Sequence, residues 1–187
     1  LVPSFGGNVW TTIDAGAYFA CGVVDGVTRC WGRNDQGQIG NNVTIGSNYN
    51  SPQVVQSSVG ANSVGAKNTV ELSAGTNHAC SISNGLAYCW GNNTAGKLGD
   101  GTATLRNGST PVTANAGSLG DNYPYKIAAG GTSTCAIGNG KITCWGAGSQ
   151  GQLGVAGDIS NKSTPSTWTS NYIRQQRVLD TTRMVAY

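Results

Sequence analysis

Charged residues are scarce in this chain. They make up 10% of its 187 residues, whereas an average globular domain contains about 25%. The formal net charge is only +3, so the charge gives no reason to expect a nucleic-acid partner. Three arginines near the C-terminus, Arg174, Arg177 and Arg183, leave two interpretations open, a solvated basic end and a phosphate-binding patch.

The chain also lacks the patterns of most enzymes and metal sites. It has a single histidine, His78, which is the only candidate base for a nucleophilic triad and which we interpret as structural. No C-x-x-C pair, Walker-type phosphate loop or calcium loop with alternating Asp occurs. The acidic residues are scattered and form no recurring pair. We therefore expect a protein without catalytic residues, metal or cofactor.

No stretch is long and apolar enough for a transmembrane helix. The chain begins with Leu1 rather than Met, so we expect a mature product or an excised fragment. Glycine is abundant, with 29 residues, and the chain has five Trp and seven Tyr. Glycine supplies the positive φ angles of tight turns, while aromatic and β-branched residues favour strands. The composition therefore predicts a folded, all-β protein.

One motif occurs three times without a gap. The pattern AG-x4-C-x8-CWG-x4-G-[QK]-[IL]-G fits residues 15–40, 74–99 and 129–154. Between the copies, a Ser-Pro or Thr-Pro pair recurs at a similar phase, at Pro52, Pro111 and Pro165. Repeats of this kind predict supersecondary units that stack on one another to bury a shared core. We divide the single domain 1–187 into the repeats 1–50, 51–109 and 110–163 and a partial or degenerate fourth repeat, 164–187.

Each motif contains a predicted two-residue hairpin. Asp25-Gly26, Asn84-Gly85 and Asn139-Gly140 suit a type I′ turn, which needs positive φ at both central residues. Counting outward from these turns places the two cysteines of each motif opposite each other on a non-hydrogen-bonded pair, where the Cα atoms come closest. The predicted disulfides are Cys21–Cys30, Cys80–Cys89 and Cys135–Cys144.

The cysteines could in principle bind zinc instead. Zinc sites favour two to four residues between paired ligands and often include histidines. Here eight residues separate each pair and the chain has one histidine, so disulfides are favoured. Disulfides persist in oxidising compartments, and we therefore expect a secreted protein that is extracellular or at the cell surface.

A tryptophan follows the second cysteine of each motif. Because side chains alternate along a strand, Trp31, Trp90 and Trp145 must point away from the cystine face. We interpret them as equivalent packing residues between successive repeats, while sugar stacking remains the alternative. Trp10 and Trp168 lie outside the repeated position and are better candidates for surface contacts.

Together, the AG, CWG and GQLG elements and the Ser/Thr-Pro strand resemble the repeat of the regulator-of-chromosome-condensation propellers. The resemblance implies four-stranded blades around a central axis, commonly seven of them, and it covers nearly the whole chain from Pro3 to Thr164. The paired cysteines suggest an exported branch. The histidine that often follows the AG pair in that family is present only as His78, with Phe19 and Ser133 at the corresponding positions. No loop matches a nucleotide-exchange site, so no functional residue is carried over.

Four sequons, at Asn42, Asn92, Asn107 and Asn161, are possible glycosylation sites. In a glycosylating organism they would mark surface loops. The tail 179–187 suits either the degenerate first strand of a fourth blade or a short helix.

Two functions remain open. The first is a non-enzymatic module that binds a protein partner or further copies of itself. The alternative is a carbohydrate-binding or carbohydrate-active propeller that uses exposed aromatic and acidic loop residues. Closed propellers have about four to eight blades, and this chain supplies about three and a half. It would then be part of a longer propeller, a ring completed by several copies, or a head-to-tail filament in which segment 1–10 or 178–187 completes a neighbour.

Overall fold

The computed structural model describes residues 9–43, 45–58, 68–113 and 123–167. In these residues the chain forms three four-stranded antiparallel sheets, each with its strands in chain order, which we call blades 1, 2 and 3. Blade 1 consists of β1 (Trp10–Ala15), β2 (Phe19–Val24), β3 (Val27–Gly32) and β4 (Tyr49–Val54). Blade 2 consists of β5 (Thr69–Ala74), β6 (His78–Ser83), β7 (Leu86–Gly91) and β8 (Arg106–Pro111). Blade 3 consists of β9 (Lys126–Ala129), β10 (Ser133–Gly138), β11 (Lys141–Gly146) and β12 (Lys162–Thr167). The fold is therefore all-β and built from propeller blades.

The central hairpin of each blade has the predicted turn and register. Asn84 and Gly85 both have positive φ, 50° and 75°, as a type I′ turn requires. The other two turns repeat these signs. Cys80 lies opposite Cys89 in the β6–β7 ladder, and the cysteines of blades 1 and 3 are paired in the same way.

The blades are offset from the repeats defined by sequence. The repeat boundaries at 50/51, 109/110 and 163/164 each fall inside the fourth strand of a blade, namely β4, β8 and β12. The proline-containing segments therefore close the preceding blade instead of opening the next one. The fourth strand is the edge of its sheet, where proline is tolerated because it does not have to donate to a further strand. Residues 164–167 thus belong to blade 3.

The hydrophobic core lies between the blades. One apolar cluster joins the Cys21–Cys30 side of blade 1 to Leu72 and Trp90 of blade 2. A second joins the Cys80–Cys89 side of blade 2 to Ile127 and Trp145 of blade 3. Each blade therefore has a front face, which carries the Trp, and a back face, which carries the cystine.

The first strands of the blades are held side by side by backbone donors and by close contacts. The N–H of Ala74 donates to Asp14 Oδ2 at 2.8 Å, and the N–H of Ala129 donates to Ser73 Oγ at 3.0 Å. A Cβ added at Gly75 would lie 2.2 Å from the carbonyl oxygen of Gly130. The glycine of the AG pair is therefore required where successive blades approach.

Several predictions fall on residues that the structure does not describe. They concern Trp168, the three C-terminal arginines, the tail 179–187 and most of segment 1–10. Within the described residues, no helix has the length and apolar character needed to cross a membrane.

Candidate functional site

The interface between blades 1 and 2 shows how a front face is covered. Trp90 is fully buried, and its indole Nε1 donates to the main-chain carbonyl of Gln38 at 3.0 Å. A Cβ at Gly40 would lie 2.6 Å from Cδ1 of this ring. The Gly-Gln-Ile-Gly loop of one blade, residues 37–40, thus lies directly on the tryptophan of the next.

The interface between blades 2 and 3 repeats this arrangement with one change. Trp145 is fully buried, and a Cβ at Gly99 would lie 2.6 Å from its Nε1. The carbonyl of Lys97, which corresponds to that of Gln38, accepts a hydrogen bond from the hydroxyl of Thr134 at 2.8 Å. Among the described residues, the Trp145 N–H has no acceptor. Trp90 and Trp145 are therefore equivalent in packing but not in hydrogen bonding.

His78 belongs to this second interface. Its Nε2 lies 2.9 Å from Thr134 Oγ1. Because that hydroxyl donates its proton to the Lys97 carbonyl, it must accept from the ring, and we therefore assign the imidazole proton to Nε2. Burial, and to a lesser extent the positive charge of Lys97, lower the pKa of His78 to about 3. The ring is fully buried and neutral, which agrees with a structural role.

The front face of blade 1 is open. Trp10, Thr11, Thr12, Ile13 and Trp31 line a groove of about 290 Å³. The two indole rings meet edge to face, with their centroids 6.0 Å apart and their planes at 78°. Trp10 also lies on Gly22, where an added Cβ would be 2.7 Å from its Cζ3. The groove is thus an aromatic surface, and none of the described residues that line it is charged.

Ile13 and Trp31 show that this groove is an uncovered front face. Ile13 is 69% exposed, whereas Leu72 and Ile127, at the corresponding positions of blades 2 and 3, are each 5% exposed. Trp31 is half-buried, so the predicted equivalence with Trp90 and Trp145 does not extend to its burial. The reason is positional, because no described blade lies against this face. Trp10, predicted as a surface contact, lies in the same groove.

The back face of blade 3 is partly open at the other end. Cys135 is half-buried and Ile142 is 41% exposed, although Cys80 in blade 2 is fully buried. A Cβ at Gly151 would meet no atom of the described residues within 4 Å, whereas one at Gly96, its counterpart in blade 2, would lie 2.5 Å from Ser163. Leu153, in the same loop as Gly151, is already buried.

All six cysteines form the predicted disulfides, Cys21–Cys30, Cys80–Cys89 and Cys135–Cys144. Their Cα atoms are 4.0–4.1 Å apart, as expected for cysteines on a closely spaced antiparallel pair. Within the part of the chain that the structure describes, no three His, Cys, Asp or Glu side chains form a group able to hold a metal ion.

The four sequons differ in accessibility. Asn42 and Asn161 are exposed. The amide nitrogen of Asn92 donates to Gln36 Oε1 at 2.8 Å, and that of Asn107 donates to the Val43 carbonyl at 3.2 Å, both across the contact between blades 1 and 2. A glycan on either nitrogen would break that contact, and the amide nitrogen of Asn42 also donates, to the Ser57 carbonyl at 3.4 Å, so Asn161 is the best acceptor of the four.

The described carboxylates are mostly engaged with other groups. Asp35, Glu71, Asp100 and Asp158 form ion pairs with Arg33, Lys126, Arg106 and Lys162. Asp14 accepts backbone N–H groups. None of the described residues that line the groove on blade 1 is acidic.

Comparisons with known proteins agree with this geometry. The sequence model of the regulator of chromosome condensation (RCC1) repeat matches residues 25–82 and 84–137, more than half of the chain. The crystal structure of human WBSCR16 has a TM-score of 0.73 at 17% identity, covering 88% of this chain and 39% of that one. Yeast RCC1 (Prp20), solved bound to Kap60, has a TM-score of 0.70 at 20% identity, covering 87% of this chain and 37% of that one.

At these identities the structural likeness shows the fold. The chain spans less than two fifths of the length of either solved structure. Blade architecture, repeat spacing and the match to the family's sequence model agree with one another. The chain therefore belongs to the regulator of chromosome condensation (RCC1) repeat family.

Proposed function

We propose that this chain is a non-enzymatic protein-binding module that acts outside the cell through the aromatic groove on the front face of blade 1. One observation carries the proposal. The front face of blade 1 has the residue types that blades 2 and 3 bury against a neighbour, yet Ile13 is 69% exposed and Trp31 is half-buried.

The chemistry of this face suits a protein partner. Contiguous exposed apolar surface is uncommon on monomeric proteins and marks interaction sites. Tryptophan is enriched among the residues that dominate binding energy, and two tryptophans meet in this groove. The yeast neighbour Prp20 was crystallised bound to Kap60 and was studied for its binding to Gsp1p and histones, so proteins of this fold do bind other proteins.

A carbohydrate ligand is less well supported. Stacking on Trp10 and Trp31 is available, but the described residues of the groove supply two threonine hydroxyls and no carboxylate or side-chain amide. Most described carboxylates are held in ion pairs or by backbone groups. The extracellular part of the proposal rests on the three disulfides, which persist in oxidising compartments.

The proposal is tested by photo-cross-linking in the native medium of the protein. A benzoylphenylalanine replaces Ile13 in the groove, and a matched control replaces Val70, which is 65% exposed on β5 of blade 2. We expect a discrete protein adduct at position 13 that is absent at position 70. Adding an excess of the protein without the photo-reactive residue should reduce the yield of this adduct.

Two results would contradict a protein-binding role. One is equal labelling at both positions. The other is the absence of any adduct at position 13 while soluble oligosaccharides quench the fluorescence of Trp10 and Trp31, which would favour the carbohydrate alternative.

A further inference from the structure

Two hydrogen bonds at the buried centre of the contact between blades 1 and 2 have no counterpart between blades 2 and 3. In the first contact, the indole of Trp90 donates to a main-chain carbonyl, and the hydroxyls of Thr28 and Thr69 share a hydrogen bond of 2.9 Å. In the second contact, the Trp145 N–H has no acceptor among the described residues, and Ala87, without a hydroxyl, stands at the position of Thr28. The centre of the second contact therefore depends on a different polar group.

That group is His78, which forms a chain of two hydrogen bonds between blades 2 and 3. Its Nε2 donates to the Thr134 hydroxyl of blade 3 at 2.9 Å, and this hydroxyl donates to the Lys97 carbonyl of blade 2 at 2.8 Å. A Cβ at Gly75 would lie 2.7 Å from Cε1 of the ring and would collide with the carbonyl oxygen of Gly130. The backbones of both blades thus close over the ring, which is fully buried.

Only the neutral imidazole suits this position. With its proton on Nε2, the ring leaves Nδ1 as an acceptor, and no group of the described residues forms a hydrogen bond with this atom. A second proton on Nδ1 would add a positive charge to a buried ring. It would also create a donor without an acceptor among those residues, and both changes cost free energy.

The charged groups near this contact do not offset that cost. Lys97 is 4% exposed, and its positive charge opposes protonation of His78. Burial, and to a lesser extent this charge, lower the pKa of the ring to about 3. Asp14 accepts a backbone N–H of blade 2, and Glu71 pairs with Lys126 of blade 3. Neither carboxylate is hydrogen-bonded to the histidine, so a protonated ring would lack an anionic partner among these groups.

We propose that the contact between blades 2 and 3 is an acid-sensitive joint, which opens when His78 is protonated while the contact between blades 1 and 2 stays closed. The corresponding residue of the first contact is Phe19, which has no titratable group. Opening uncovers Ile127 and Trp145 on the front face of blade 3. The joint does not depend on the proposed function, although the surface that it uncovers has the same residue types as the groove of blade 1.

The size of the effect follows from the two protonation equilibria of His78. In the open contact an accessible histidine has a pKa of about 6.5, and in the closed contact it is about 3. Because the pKa is lower in the closed contact, the neutral ring favours closure above pH 6.5, and this preference is lost as the pH falls toward 3. Between pH 7.5 and pH 5, the ratio of open to closed protein should therefore rise about 30-fold.

Hydrogen exchange of single amides, followed by NMR on the whole chain, separates the two contacts. The N–H of Ala129 donates to Ser73 between blades 2 and 3, and the N–H of Ala74 donates to Asp14 between blades 1 and 2. After correction for the intrinsic exchange rate at each pH, the protection of Ala129 should fall about 30-fold from pH 7.5 to pH 5. Ala74 is the matched control and should keep its protection.

Two reciprocal substitutions assign the effect to the histidine. His78→Phe, which copies blade 1, should remove the pH dependence at Ala129. Phe19→His, which copies blade 2, should introduce an acid-induced loss of protection at Ala74. Circular dichroism at pH 7.5 checks that each variant is folded.

Three results would overturn this inference. Equal loss of protection at Ala129 and Ala74 in the wild-type protein would show that acid unfolds the chain as a whole. Unchanged protection at Ala129 would show that the contact does not respond to acid. A His78→Phe protein with the wild-type pH dependence would show that another group is responsible. If His78→Phe does not fold, a folded Phe19→His protein whose Ala74 stays protected at pH 5 would overturn the inference instead.

Discussion

Replacing Trp90 by alanine tests the interface between blades 1 and 2 most severely. A buried tryptophan removes about 150–250 Å² from water, and at about 25 cal/mol per Å² this is worth about 4–6 kcal/mol. That figure is an upper estimate because the unfolded chain already buries some surface. The change also leaves the Gln38 carbonyl without its donor. We expect Trp90→Ala to lower the free energy of unfolding by about 3–5 kcal/mol.

Trp31→Ala is the matched control, since it makes the same change at the half-buried front face. We expect a loss of about 2 kcal/mol or less, scaled from the same area. Urea unfolding of each variant measures both. If the two substitutions cost the same, or if Trp90→Ala costs less than about 1 kcal/mol, the difference between covered and open faces would be refuted.

Three further predictions concern the same interfaces. Trp90→Phe and Trp145→Phe both remove buried apolar area, but Trp90→Phe should cost about 1 kcal/mol more through its lost hydrogen bond, because the Trp145 N–H has no acceptor among the described residues; urea midpoints that fall equally would contradict this. The pKa of His78 is about 3 in the folded protein and about 6.5 in the unfolded chain. The stability that comes from burying the neutral imidazole is therefore fully present above pH 6.5 and is lost as the pH falls toward 3. The loss amounts to about 2 kcal/mol between pH 8 and 5, and His78→Phe, which copies Phe19, should abolish that slope; an unchanged slope in urea titrations would refute it. In dilute protein, Cys135–Cys144 should be reduced before the fully buried Cys80–Cys89, as timed alkylation and peptide mapping would show, and the reverse order would contradict the open back face.

Sequence reasoning succeeded where the structure is determined locally. The Asn84-Gly85 turn fixes the register of its hairpin, and the register places Cys80 opposite Cys89. Strand alternation then puts Trp90 on the other face. These features needed no knowledge of neighbouring blades.

Features that depend on neighbours could not be predicted. The sequence shows the same CWG motif three times, yet Trp31 is half-buried and Trp90 fully buried, because burial is set by the blade that lies against each ring. The proline segments looked like the start of a repeat, but strand pairing assigns them to the end of a blade. The position of Trp10 over Gly22 likewise depends on side-chain packing within blade 1, which the local sequence does not predict.

The central claim is that the front face of blade 1 is the same kind of surface that blades 2 and 3 bury, left open for a partner. Hydroxyl-radical footprinting of Trp31, Trp90 and Trp145 tests this claim most directly. In the isolated protein, Trp31 should be oxidised while Trp90 and Trp145 stay protected, and Trp31 should become protected once the protein partner is bound. A Trp31 as protected as Trp90 in the isolated protein, or equally reactive in the complex, would contradict the account.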